Sequence, residues 1–163
     1  MLPAVTDESF RTAMASFASG VTVVTTIDSR GRPFGLTATA FCSVSRDPPM
    51  CLVCVANDAD PYPALKETGR FAVNVLASEQ RELSVKFSTH GIDKFDGIAW
   101  SPGPETGCAL LSGVVVSVEC VVEHRLVAGD HEIFVGAIRR VHLGSATEPL
   151  VYFRGRYSDV VAR

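Results

Sequence analysis

A mainly β fold, an antiparallel barrel with a few short peripheral helices, is what this chain predicts. Three observations lead there. Six or more segments rich in β-branched residues follow one another with only short helical stretches between them. No strand runs through a G-x-G-x-x-G into a helix, which excludes a Rossmann dinucleotide site on a doubly wound sheet. The chain has 163 residues and shows no linker, repeat or low-complexity tract, a good length for a single domain, 1–163, with a substantial core.

The elements read in order as follows. "TDESFRTAMASFASG" predicts a helix capped by Thr6 or Asp7 and closed by Gly20, with Phe10, Ala13, Met14 and Phe17 on one face. "VTVVTTID", the turn "SRGR" and a strand from about Pro33 predict a hairpin. "PMCLVCVA" is a continuous apolar strand, and the polar loop "NDADPYP" follows it. "ALKET" with Gly69 predicts a short helix, "RFAVNVLA" a strand, and "SEQRELSVKFS" a helix from Ser78 with Gln80 or Arg81 in its first turn. Residues 89–107 read as loop. "ALLSGVVVSVECVVEHRLVA", "HEIFVGAIRRVHLG" and "PLVYFRGRYSDV" predict three more β segments, the first two joined at "GDH". Barrel edges left open need cover, so a dimer is expected.

Composition excludes several classes. A formal charge of −3 gives no reason to expect nucleic acid or an anionic membrane as the main partner. No apolar run reaches the ~20 residues that span a bilayer, and "MLPAVTDESFRTAM" lacks the basic and apolar regions of an export signal, so a cytoplasmic protein is expected. Five cysteines fit that compartment as free thiols. Cys51 and Cys54 form a C-x-x-C, but strand residues three apart face opposite ways, which suits neither a redox dithiol nor a zinc knuckle. His90, His124, His131 and His142 have no second His or Cys at ligand spacing, so no metal is expected, and His124 and His142 are read as rim or surface residues. Nucleophile-elbow, zincin and P-loop motifs are absent, so any reactivity points to a bound organic cofactor.

Three segments could build its site. "GLTATAFCSVSRDPP" has side chains small enough to bring a planar ring against the backbone, with hydroxyls at Thr37, Thr39, Ser43 and Ser45. Threonines in a strand that simply pair across a sheet explain it equally well. In "LSVKFS", Ser84 and Lys86 could meet a phosphate with Phe87 beside a ring, and solvated helix residues are the plainer alternative. "GDH" at Gly129 to His131 and "FRGRY" at Phe153 to Tyr157 combine a tight turn, a histidine, two arginines and aromatics; arginine forks suit carboxamide or phosphate, and Gly-Asp is also an ordinary hairpin device.

Taken together and in order, "FRTAMASFASGVTVVTT", "GLTATAFCSVSRDPPMCLVCV", "GRFAVNVL", "LSVKF", "DKFDGIAW", "GDHEIFVG" and "YFRGRY" resemble the short-chain flavin reductases, the reductase components of two-component flavin-dependent monooxygenases. The resemblance covers nearly the whole chain. It implies a split β-barrel of FMN-binding type, antiparallel and Greek-key-like, assembled as a homodimer. It also implies hydride transfer from NADH or NADPH to FMN or FAD, with reduced flavin passing to a partner monooxygenase. By the same resemblance Gly35, Leu36, Thr37, Thr39 and Ala40 lie along the flavin, Asn57 meets its tail, and Ser84, Lys86 and Phe87 lie near its phosphate. His131 would orient the nicotinamide, with Arg154, Gly155, Arg156 and Tyr157 around it. Two departures stand out: Ala40 occupies a position where many members have serine, and "NDADPYP" lacks the Ser and Thr expected there. A non-catalytic flavin-binding protein on the same barrel is the main rival, and an amine oxidase of the pyridoxamine-phosphate type a second. "GDH" and "RGRY" favour the reductase, since storage needs no nicotinamide pocket. The lack of a basic cluster for a 2′-phosphate tilts the donor towards NADH.

Overall fold

The structure, a computed structural model, describes residues 5–160. Helix α1 (Asp7–Ala15) starts at Thr6, whose hydroxyl accepts from the Ser9 amide while Ser9 reciprocates at the Thr6 amide. It ends five residues before Gly20, because Ser19–Gly20 are drawn off as a short strand, β1, that pairs with β11 (Val151–Phe153). Strands β2 (Thr22–Ile27) and β3 (Pro33–Ala38) form the expected hairpin. β4 (Phe41–Arg46) and β5 (Pro49–Ala56) form a second, turning at Asp47 and Pro48.

Helix α2 (Tyr62–Thr68) stops at Gly69, which adopts the left-handed φ of 62° that glycine tolerates best. β6 (Arg70–Val75) leads to α3 (Arg81–Ser88), which begins three residues later than Ser78. The Gln80 side chain bends back to accept from the Ala77 amide, so 77–80 is a turn and Gln80 is the cap. Within 89–107, β7 (Trp100–Pro102) pairs with β8 (Ala109–Leu111). The long strands β9 (Val116–Ala128) and β10 (His131–Leu143) turn on Gly129–Asp130. The last β segment is itself a hairpin, β11 and β12 (Arg156–Ser158), closed by Arg154 and Gly155 with φ of 48° and 76°.

Seven strands make one antiparallel sheet in the order β3, β2, β6, β9, β10, β5, β4. Laid flat, its outer strands would lie about 29 Å apart at ~4.8 Å per neighbour. Only Thr39 and Ala40 separate β3 from β4, and such a link reaches about 10 Å. The sheet must therefore curl until its two edges meet near these residues. Register shifts at Val135/Gly136 and Ile138/Arg140 in β10 allow that bend. No ladder of hydrogen bonds joins β3 to β4, so the sheet is not closed by hydrogen bonds as a complete barrel would be.

Curling puts one face inward, where Val24, Val53, Phe71 and Phe134 form a core, while Val21, Val23, Leu76 and Phe87 form a second on the outer face. β2 serves both, which explains its nearly unbroken run of buried residues. The C-x-x-C divides as a strand requires: Cys51 is buried and Cys54 half-buried. Cys51 and Cys120 sulfurs lie 3.4 Å apart, and both cysteines are free. Their hydrogen bond and their burial push the Cys120 thiol far above its ordinary range.

Buried Glu119 is the anchor of the 103–108 loop. Its Oε2 accepts from the Glu105 and Thr106 amides and the Thr106 hydroxyl, and its Oε1 lies 2.7 Å from His142 Nε2. Burial pushes this carboxyl up, but the hydrogen bonds from His142, Thr106 and Glu105 outweigh that and hold it below its ordinary value. His142 is thus half of a buried-carboxylate pair rather than a free surface residue. Among the described residues no helix is long and apolar enough to cross a membrane, and no three His, Cys, Asp or Glu side chains gather into a metal-binding group.

Candidate functional site

Where the sheet edges meet, a cleft of about 360 Å³ opens between the end of β3, the outer-facing residues of β5 and the loop after α3. Its wall is made of small side chains, Ala38, Ala40, Ala56 and Ala59, with Thr37 and Thr39 beside them. Each of these leaves the main chain within reach of a flat ligand, and the volume falls within the usual range for a small-molecule site. Cys54 also lines the cleft, and burial raises its thiol above its ordinary value, so it stays protonated and unreactive.

Gly35 is set apart from this wall. A Cβ there would come within 2.6 Å of the Phe87 ring, so its bare α-carbon exists to seat Phe87 against β3. Phe87 lines the cleft and is held edge-on by Phe95, which in turn meets Trp100 edge-to-face. Thr37 donates its hydroxyl proton to the Ser84 carbonyl at 2.6 Å, tying α3 to the strand. Leu36 borders the cleft and packs against the inner core. The hydroxyls that stand out in the sequence therefore divide: Thr37 fastens a helix, while Thr39 is exposed at the cleft rim.

His131 lines the other side. Its Nδ1 lies 2.8 Å from Asp130 Oδ1, and that hydrogen bond holds the Asp130 carboxyl below its ordinary value. Asn57 is outside the cleft wall. Its amide donates to the Asp130 carbonyl at 2.9 Å and its side chain to the Gly129 carbonyl at 3.5 Å, which fixes the "GD" turn and hence the place of His131.

Ser84 is buried away from the cleft, its hydroxyl 2.9 Å from the Tyr157 hydroxyl. Lys86 donates to the Asp96 carbonyl. Arg154, Gly155 and Arg156 are exposed on the β11–β12 hairpin, and the Arg154 amide donates to the Ala15 carbonyl at the end of α1. Neither Lys86 nor any residue of Arg154 to Tyr157 lines the cleft of this chain.

The cation that does is Lys94, only 8% exposed. Its ammonium donates to the Gly35 carbonyl at 3.2 Å and pairs with Asp60 Oδ2 at 3.3 Å. A lysine is rarely buried unless paired, and this one keeps a third N–H beyond those two contacts. Its segment "DKFDGIAW" is among those that carry the resemblance, but the resemblance assigns the lysine no role, and one lysine in a loop of glycines and aspartates carries no pattern of its own. Ser88, the last residue of α3, and His90 just beyond it, also unforeseen, line the cleft with it.

Fold and site thus define a small, mainly β protein with a shallow ring-sized cleft, one buried cation at one end and one histidine at its side. The flavin reductase like domain matches residues 14–160, and the chain belongs to that family. It is 40% identical over 91% of its length to a probable flavin reductase of Rhizobium meliloti (strain 1021), spanning 47% of that longer protein. It is 34% identical over 96% of its length to the reductase subunit of a flavin-dependent monooxygenase of Rhodococcus jostii (strain RHA1), spanning 80% of it. The NADH:FAD oxidoreductase of Streptomyces globisporus superposes with a TM-score of 0.91 at 35% identity, over 99% of this chain and 98% of that one.

Proposed function

We propose that this chain is an NADH-dependent flavin reductase, taking FMN or FAD as acceptor and passing reduced flavin to a separate monooxygenase. NADPH is the less favoured donor. The observation that carries the reading is the small-residue wall at Thr37 to Ala40, facing His131 across a cleft that ends at buried Lys94. A planar flavin ring fits such a wall, and an ammonium with a spare N–H fits its phosphate. The chemistry a bound flavin supplies is acceptance of a hydride from the nicotinamide.

Everything else falls to the chain. Thr39, Ala40 and the backbone beside them hold the ring edge. Lys94 takes the role foreseen for Lys86, and Gly35, Ser84 and Asn57 act by placing Phe87, α3 and His131. His131 would orient the nicotinamide beside the bound flavin, the close placement that hydride transfer requires. No protein acid or base is needed at the transferring carbon. Asp58 and Asp60 at the phosphate end keep affinity modest, which suits an enzyme that must release its product.

Residues 1–163 are read as one split-barrel domain in the cytoplasm. Support for a homodimer comes from α1, none of whose residues is buried: Phe10 and Met14 are 55% and 57% exposed. The Arg154–Gly155 hairpin is fastened beside α1, so Arg154, Gly155, Arg156 and Tyr157 would reach a nicotinamide through that interface, at the cleft of the second copy. The non-catalytic rival loses ground because His131 is held in place with no core to fill. The test is absorbance at the nicotinamide band with NADH and added FMN or FAD: flavin-dependent loss is expected, and no loss with NADH or NADPH overturns the reading.

A further inference from the structure

Next to His131 in β10 stands Glu132, a carboxylate only 3% exposed. Strand alternation turns it to the face of core residue Phe134 and away from that of His131. Glutamate is almost never fully buried unless paired, and this one has partners from two other elements. The Tyr62 hydroxyl, at the start of α2, donates to its Oε2 at 2.7 Å, and Arg125 Nε of β9 lies 3.6 Å from its Oε1. Apolar side chains of similar volume commonly replace a buried ion pair with no loss of stability, so the core alone gives no reason for a charge here. Resting on the reductase reading above, we propose that Glu132 is a positioning residue. Through Tyr62 it clamps the loop on the flavin side of the cleft to the strand end that carries His131.

Connectivity is the first argument. Residues 57–61 join β5 to α2, and Asp58, Ala59, Asp60 and Pro61 all line the cleft. Asp60 also holds Lys94. Both ends of this loop are tied to β10, one on each side of the histidine. The Asn57 amide donates to the Asp130 carbonyl at 2.9 Å, and the Tyr62 hydroxyl reaches Glu132. His131 itself sits opposite Ala56, another cleft residue, in the β5–β10 ladder.

The second argument is the contrast between the two ends of the clamp. Beyond His131 the chain turns at Gly129–Asp130, and Leu126 and Val127 of β9 are 62% and 69% exposed, so the inner core does not hold this hairpin tip. Tyr62 is fixed: its ring meets Phe134 edge-on with centroids 6.2 Å apart, and the Lys66 ammonium lies 5.1 Å from its centre. The hydrogen bond to Glu132 therefore lends the place of a packed ring to an unpacked strand end. Binding geometry is kept by supporting contacts of this kind. Both clamped parts bind ligands rather than move protons, so the effect of loosening them belongs in KM.

The experiment compares Tyr62→Phe, which removes the hydroxyl and keeps the ring, with Glu132→Ala and Glu132→Gln. In steady-state NADH oxidation, Tyr62→Phe should raise the KM for NADH and for flavin about three- to tenfold, with kcat within about threefold of wild type. In a His131→Ala background its effect on the KM for NADH should vanish while its effect on flavin remains. Glu132→Gln, which keeps an acceptor for Tyr62, should recover most of what Glu132→Ala loses. Without any turnover, exchange of the Asn57 amide proton should quicken at least about tenfold in Tyr62→Phe, with the β6 amides unchanged. A lower urea midpoint with both KM values and Asn57 exchange at wild-type levels makes the contact merely structural and overturns the proposal. So does an effect on the KM for NADH that persists in full without His131. A wild-type chain that oxidises no NADH with FMN or FAD fails the reductase reading instead, and the exchange result then decides on the clamp.

Discussion

At the residue scale, Gly35 is where fold and site are most tightly coupled. Its missing side chain lets Phe87 lie flush on β3, and its carbonyl receives Lys94. Gly35→Ala must push a fully buried ring aside, and overpacking of this kind costs roughly 1–3 kcal/mol. The urea midpoint should fall accordingly, and an unchanged midpoint would mean Phe87 is free to move. His131 makes a different prediction. On the proposed role of orienting nicotinamide rather than moving a proton, His131→Ala should raise the KM for NADH several-fold with less than about a tenfold loss of kcat. A thousandfold fall in kcat at saturating NADH would assign it a chemical role. At this scale the sequence was legible where a residue type is unusual for its setting, as with the small run Thr37 to Ala40. It was opaque where meaning comes from a distant partner: nothing local in "DKFDG" says that Lys94 is buried against Gly35 and Asp60.

At the scale of elements, the long strands and hairpins followed from β-branched runs and Gly-Asp turns, while helix ends and short strands did not. α3 begins late because Gln80 folds back on Ala77, and "PLVYFRGRYSDV" breaks in two because Arg154 accepts a positive φ that sequence does not advertise. The 103–108 loop is held by one side chain of β9, Glu119, which gives a pH prediction. Its carboxyl titrates below its unfolded value near 4.5, so the folded state prefers the ionised form. That stabilisation is complete above the unfolded value and is lost as pH falls through the lower folded one. Glu119→Gln, which leaves part of the buried donor set without an acceptor, should cost about 2–3 kcal/mol near neutral pH. In urea titrations the gap between wild type and Glu119→Gln should narrow in acid below that range. A gap independent of pH would assign the loss to packing instead.

At the scale of the whole molecule, two residues between β3 and β4 force seven strands to curl, and the resulting seam is where the cleft opens. Overall β character and the lack of a Rossmann unit were legible from the sequence; the seam was not, because it depends on strand order rather than on local pattern. One chain also leaves an apolar surface uncovered, with Phe10 and Met14 on α1 and Leu143, 85% exposed, at the end of β10. Sedimentation should give a dimer, and Phe10→Glu with Met14→Glu should shift it towards monomer. A wild-type chain that sediments as a monomer at micromolar concentration removes the proposed route from the Arg154 hairpin to a second cleft. The most direct test of the central claim uses the smallest part of the seam, Ala40. NADH oxidation is measured with and without added flavin for the wild type and for Ala40→Trp, whose exposed side chain should fill the cleft without disturbing the melting temperature. The account predicts flavin-dependent oxidation by the wild type and at least about a tenfold loss in the variant; full activity in a folded Ala40→Trp would contradict it.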